Sequence, residues 1–197
     1  MTSKALSDRT EIRLAGEGGQ GMILAGIILA EAASIYDNKN AAQTQSYGPE
    51  ARGGASKSEV VISTGEIDHP EVLEADVIVA LSQEAYDKYG KNIKAGCLLI
   101  VDEDKVSKMQ SVDAIKVPVS RMALEITGKA ITANTVALGV LVGLTDVVTR
   151  KAIEKAVAAR APKGTEKMNK NALEAGFAIA DKNKAVVKHQ VLEGVGF

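Results

Sequence analysis

Arg13-Leu14-Ala15-Gly16-Glu17-Gly18-Gly19-Gln20-Gly21-Met22-Ile23-Leu24-Ala25 is the stretch whose reading decides the fold. Glu11–Ala15 reads as a strand, Gly16–Gly21 as a glycine loop, and Met22–Tyr36 as a helix of good formers that ends before Asp37-Asn38. Working outward, Asn40–Gln45 is a short second strand and Ser46–Ser56, rich in Gly and holding Pro49, a loop. Lys57–Ser63, Asp76–Leu81, Cys97–Val101 and Ala114–Val119 are further strands. Asp68-His69-Pro70 suits a helix entry. Ser82 caps a helix running to about Ile93, with Gly96 as punctuation. Helices are also predicted over Ser120–Thr127, over Thr135–Leu144 with Asn134 as cap, and over Arg150–Arg160 and Glu166–Lys182. Strands alternating with helices predict an α/β fold: a Rossmann-like, open, mostly parallel sheet with helices on both faces and a helical C-terminal third. No repeat or linker divides the chain, so residues 1–197 are expected to form a single domain.

Composition narrows the function. The chain has 197 residues, 46% hydrophobic and 25% charged, with a net charge of −1. That balance gives no pull toward nucleic acid or an anionic membrane. Four Tyr, two Phe and no Trp provide no base-stacking surface. The apolar runs Met22–Ala30 and Val136–Leu144 fall far short of the ~20 residues of a membrane span. They are apolar nearly all round and should be buried on more than one side. A central place in the domain is favoured for the first. For the second, burial inside the domain and burial against another subunit are both open. Met1–Leu14 has no signal-peptide core, and a cytoplasmic location is expected. The single Cys97, in an apolar strand-like run, reads as a small core residue and allows neither an internal disulfide nor a cysteine metal cluster.

Gly16-Glu17-Gly18-Gly19-Gln20-Gly21 matches G-x-G-x-x-G between a strand and a helix. The acid that should end the second strand and hold a ribose is missing: Asp37 precedes that strand, and Thr44 and Gln45 occupy its end. Glu17 would repel a pyrophosphate. These features tell against NAD or FAD, and the absence of Lys excludes a Walker loop. A tight turn with close helix–strand packing and a site for another phosphate group both stay open. The second constellation is Gln43-Thr44-Gln45-Ser46-Tyr47-Gly48-Pro49-Glu50-Ala51-Arg52-Gly53-Gly54. Loops at the carboxyl ends of strands line the ligand crevice of an open α/β sheet. Arg52 there could pair bidentately with a phosphate or carboxylate, and Gly53-Gly54 would admit a close approach. The alternative is that Arg52 pairs with Glu50 or Glu59. Asp102-Glu103-Asp104 reads as a solvated turn rather than a cation site. His69 precedes Pro70 in a turn and His189 lies in a charged tail, and no Ser-His-Asp or Cys-His arrangement can be built around either.

The two glycine-rich motifs together resemble the gamma subunit of the 2-oxoacid:ferredoxin oxidoreductases. Glu59–Ser63, Ala75–Leu81 and Asn134-Thr135 also fit, and the resemblance runs from about Glu11 to Ala180. It implies a domain like the pyruvate/ketoisovalerate oxidoreductase gamma domain, most like the 2-oxoglutarate branch. The complex would convert 2-oxoglutarate and coenzyme A to succinyl-CoA and CO2, using thiamine diphosphate, magnesium and [4Fe–4S] clusters and reducing ferredoxin or a similar acceptor. Alpha, beta and delta-type subunits would be the partners. This chain would bind no cofactor alone and hold no catalytic or metal-binding residue. It would help bind coenzyme A and close the active site through Gly16, Gly18, Gly19, Gln20, Gly21, Tyr47, Arg52, Gly53 and Gly54. The competing readings are a pyruvate or branched-chain 2-oxoacid enzyme of the same family, an independent nucleotide-binding module, and a purely architectural subunit.

Overall fold

The computed structural model describes residues 9–46, 55–110 and 113–193, with side chains described to residue 185. Six strands, β1 (Arg9–Glu17), β2 (Asn40–Ser46), β3 (Ala55–Ser63), β4 (Val77–Ala80), β5 (Leu98–Asp102) and β6 (Ala114–Val117), form one sheet in the order β2-β3-β1-β4-β5-β6. β1, β4, β5 and β6 run parallel. β3 returns between β2 and β1, antiparallel to both. The sheet is therefore mixed, with one reversed strand in an otherwise parallel order.

Among the described residues there are six α-helices: α1 (Met22–Glu31), α2 (Gln83–Tyr89), α3 (Val119–Thr127), α4 (Ala133–Thr145), α5 (Arg150–Arg160) and α6 (Glu166–Glu193). α1 continues into a π-helical turn, Ala32–Tyr36. Alternation along the strands divides the core in two. On one face Ile12, Leu14, Val77, Val79, Ile100 and Val117 pack under α1 and α3 to α6. On the other, Ala15, Val61, Ile78, Ala80 and Val101 meet Ala85 and Tyr86 of α2 and the irregular residues Val72, Ala75 and Val106. One face thus carries five helices and the other a single short one.

Several expectations change. No helix starts at Asp68-His69-Pro70; residues 64–76 are irregular, and their course is set by Glu11, whose Oε2 accepts Leu73 N (2.9 Å) and Glu74 N (3.1 Å). α2 stops at Tyr89, where Gly90 N returns to Tyr86 O. Ser82 does cap it, its Oγ accepting Ala85 N at 3.1 Å. Asn134 is not a cap but lies inside α4, which begins after Thr132. The fates of the two apolar runs also separate. Every residue of α4 from Ala133 to Leu144 is buried within this chain. In α1, by contrast, Leu24 is 40% exposed, so the run expected at the centre keeps one open side. Among the described residues no helix is long and apolar enough to cross a membrane.

α4 is buried so completely because it crosses α6 at glycine. A Cβ on Gly139 would collide with the backbone of Leu173 and Gly176, and one on Gly176 with the backbone of Val136 and Gly139. Two bare backbones therefore meet at one point.

Candidate functional site

The parallel strands end at Glu17, Ala80, Asp102 and Val117, and these ends define one edge of the sheet. Both glycine-rich segments leave from it. Gly16 pairs with Ser56 and Glu17 with Ala55, so the foot of the first loop lies beside the residue that follows the second. Tyr47, Arg52, Gly53 and Gly54 lie outside the described residues, although both flanks of their segment are placed.

The first loop is closed by its own side chain. Gln20 Oε1 accepts Glu17 N at 2.7 Å, and Gln20 Nε2 donates to Leu81 O at 3.1 Å. Gln20 thus spans from the loop to the end of β4, across the gap between two neighbouring parallel strands. That gap is where the chain switches faces, since β1 leads to α1 on one side and β4 to α2 on the other. A Cβ on Gly16 would stand 2.3 Å from Gln20 Oε1, so it would push the amide out of this position. Gly21 opens α1 with φ 75°, and a Cβ on it would stand 2.6 Å from Asn134 Nδ2. Asn134 Nδ2 also donates to Gly21 O at 3.4 Å, which gives this residue its place: α4 is pinned to the glycine loop. Gly18 and Gly19 face open space. So Gly16, Gln20 and Gly21 shape the loop, and Gly18 and Gly19 present its backbone outward.

The next four residues after β4 each hold something different. Leu81 O receives Gln20, and Ser82 caps α2. Gln83 Oε1 accepts Ser107 N (3.0 Å) and Lys108 N (2.9 Å), and its Nε2 donates to Lys108 O (2.8 Å). Glu84 Oε1 accepts Ala55 N at 3.0 Å. Further along α2, Tyr86 OH accepts Gln110 N at 3.0 Å. Sequence reasoning assigned only the cap here. The other partners lie 24 to 61 residues away, and no local pattern signals them.

Beside the glycine loop, a cavity of about 460 Å³ is lined by Gly19, Gln20, Lys105, Arg121, Leu124 and Ile131, among others. Leu124 is 52% and Ile131 56% exposed at its rim. Asp102 lies wholly buried beneath, accepting Ser120 N (3.0 Å), Ser120 Oγ and Asp104 N (3.2 Å). Burial raises its carboxyl above the ordinary range, and the Ser120 and Asp104 donors act against that. It ties β5 to the start of α3 and is no part of a solvated acidic turn, while Glu103 and Asp104 pair with Arg121. Among the described residues no three His, Cys, Asp or Glu side chains are grouped to hold a metal.

Glu59, one of the two acids offered as a structural partner of Arg52, pairs through Oε1 with Arg13 (2.6 Å) and through Oε2 with Lys57 (2.8 Å); Glu50, the other, lies outside the described residues. Cys97 is half-buried and its thiol is pushed up to about 11, chiefly by burial. A thiol that stays protonated at neutral pH is a poor nucleophile. His69 is exposed in the irregular segment after β3.

Residues 11–179 match the model of the pyruvate ferredoxin/flavodoxin oxidoreductase family. The chain is 54% identical over 184 residues to 2-oxoglutarate synthase subunit KorC of Methanocaldococcus jannaschii, covering 91% of this chain and 98% of that one. It is 38% identical to ketoisovalerate oxidoreductase subunit VorA of Methanothermobacter thermautotrophicus, covering 87% of this chain but 36% of that longer protein. In structure it is similar to the gamma subunit of a keto/oxoacid ferredoxin oxidoreductase from Geobacter sulfurreducens, with a TM-score of 0.80, 49% identity, and 88% and 97% of the two chains covered.

Proposed function

The chain belongs to the pyruvate ferredoxin/flavodoxin oxidoreductase family as a gamma subunit, and from that premise we propose that it serves a complex acting on 2-oxoglutarate, in which it holds coenzyme A beside an active site built by partner subunits. The similarity to 2-oxoglutarate synthase subunits over nearly their whole length supports the choice of substrate. The observation that carries the coenzyme A assignment is the register of Gly16 with Ser56 and of Glu17 with Ala55. It sets the outward-facing Gly18 and Gly19 next to the flank of the segment that contains Tyr47, Arg52, Gly53 and Gly54. Coenzyme A is rich in phosphate, and an Arg flanked by glycine recognises phosphate bidentately where backbone can come close. The Gly16–Gly21 loop supplies the second wall, with Gly18 and Gly19 touching ligand and Gly16, Gln20 and Gly21 holding the loop in shape. Closing this edge over the reaction would exclude water from it.

Thiamine diphosphate, magnesium and the iron–sulfur clusters belong to partner chains in this reading. A [4Fe–4S] cluster takes four thiolates, and this chain has one cysteine. Alpha, beta and delta-type subunits are the proposed partners, with ferredoxin or a similar acceptor reached through them, and residues 1–197 act as one domain.

The test is Arg52→Ala in the assembled complex. Losing a charge-assisted hydrogen bond to phosphate costs on the order of 1.5–3 kcal/mol, so KM for coenzyme A should rise roughly tenfold or more. KM for the oxoacid should move far less. An unchanged coenzyme A dependence in an intact complex would make Arg52 a structural residue.

A further inference from the structure

We propose that Asn134 is the positioning residue that sets the Gly16–Gly21 loop against the cavity beside it, and with that the grip of the loop on coenzyme A. This rests on the coenzyme A reading above and names the group that fixes the geometry of the first loop.

The cavity lies between two pieces of chain. Gly19 and Gln20 of the loop line one side, and Ala130, Ile131 and Ala133, from the turn before α4 and its first residue, line another. Asn134 follows Ala133 directly and is only 5% exposed. Its Nδ2 donates to Gly21 O at 3.4 Å and so crosses from the second piece to the first. Gly21 is where the loop turns into α1, in the left-handed region and with no side chain to cap the helix. The loop is thus held at two points. Gln20 ties it to Leu81 on the β4 side, and Asn134 ties its end from the α4 side. Gly18 and Gly19, with open space where side chains would stand, go where these points put them.

The orientation of the Asn134 amide is fixed by its neighbours. Thr135 N–H can only donate, and it reaches Asn134 Oδ1 at 2.8 Å, so Nδ2 is the end that faces Gly21. Thr135 Oγ1 lies 3.2 Å from Asn134 Oδ1 and 3.2 Å from Asn169 Oδ1, sharing one proton between them. Asn169 Nδ2 in turn donates to Thr165 O (3.0 Å) and Thr165 Oγ1 (3.1 Å), just before α6 begins. A chain of hydrogen bonds therefore runs from the start of α6 through α4 to the glycine loop. Asn134 and Thr135 are buried, where an unpaired polar group is costly, so the amide has little freedom to turn. Asn134 need not touch ligand. It fixes the backbone from which Gly18 and Gly19 are presented, and misplacement by an ångström is enough to weaken binding.

Asn134→Asp, Thr135→Val and Gly18→Val should be compared in the assembled complex, with steady-state kinetics and with amide hydrogen exchange at Ala25, whose N–H donates to Gly21 O at 2.9 Å. Asn134→Asp keeps the oxygen that accepts Thr135 N and turns a second oxygen, not a donor, toward Gly21 O. It is expected to raise KM for coenzyme A by about fivefold, with KM for the oxoacid within about twofold, and to speed exchange at Ala25. Thr135→Val removes the hydroxyl that steadies the amide and introduces no charge. It should shift both readouts in the same direction by a smaller amount, and it carries the test if Asn134→Asp fails to assemble. Gly18→Val fills open space on the loop, well away from Asn134, and reports on the coenzyme A reading itself. If Gly18→Val raises KM for coenzyme A and the Asn134 and Thr135 variants do not, the positioning proposal is overturned and the coenzyme A reading stands. An equal rise in both KM values, or unaltered exchange at Ala25, also overturns it. If none of the three variants alters the coenzyme A dependence, the placing of coenzyme A on this loop falls and the proposal falls with it.

Discussion

A methyl group at Gly16 would occupy the position of the Gln20 amide, whereas one at Gly18 would meet nothing within 4 Å. This contrast predicts opposite outcomes inside one short motif. Gly16→Ala must displace Gln20 and break its hydrogen bonds to Glu17 N and Leu81 O, a loss of about 1–3 kcal/mol of stability. Gly18→Ala should leave stability within about 0.5 kcal/mol and reveal its effect, if ligand approaches there, only in the kinetics. Urea denaturation of the two variants beside the parent checks both. The glycines themselves were legible in the sequence, since their number and their place between strand and helix announce a loop. Which glycine does what was not. Gly16 is needed because of a side chain four residues on, and Gly21 because Asn134 arrives from another helix. Gln20 illustrates the same limit: its motif position suggested ligand contact, yet both ends of its amide bond within the fold.

At the scale of elements, period and composition placed each of the six strands, because runs such as Val77–Ala80 and Leu98–Asp102 are short, apolar and clearly punctuated. The errors fall where a distant group decides. Residues 68–70 look like a helix entry, but the neighbouring Leu73 and Glu74 amides are held by Glu11, so no helical turn follows. Asn134 looks like a cap, but Thr132 precedes it in a 3-10 turn and its amide goes to Gly21. The reversed β3 was also beyond reach, since a glycine-rich segment between two strands specifies neither hairpin nor crossover. The α4–α6 crossing is the element most sensitive to a small change. Gly139→Ala drives a methyl into the backbone of Leu173 and Gly176, where neither can rotate away as a side chain would. Overpacking of this kind costs about 1–3 kcal/mol, and rigid backbone on both sides puts this case at the upper end. Thermal unfolding should show it, and Gly96→Asn, at an exposed turn with φ 79° that Asn tolerates, should fall much closer to the parent.

At the scale of the whole molecule, the exposed edge says what the chain lacks. Oxidative decarboxylation of a 2-oxoacid needs an electron sink for the developing carbanion, which side chains do not provide. Moving single electrons onward needs a redox centre, and Cys97 is one half-buried thiol held protonated by burial. What the described residues provide is one glycine-rich loop closed by Gln20 at the sheet edge, the flanks of a second glycine-rich segment beside it, and large apolar side chains left open at Leu24, Leu124 and Ile131. Relatives in which the matching region makes up about a third of a longer protein, 36% of VorA, carry this unit covalently joined to further chain. The residues of this chain should therefore depend on partners for turnover. Alone, with thiamine diphosphate, magnesium, coenzyme A and a viologen dye, it is expected to oxidise no 2-oxoacid. Adding the partner subunits should restore turnover, with 2-oxoglutarate preferred over pyruvate. Reconstitution with and without this chain decides the matter. Turnover by the purified chain would overturn its role as a subunit, and full activity of the partners without it would remove it from the site where coenzyme A reacts.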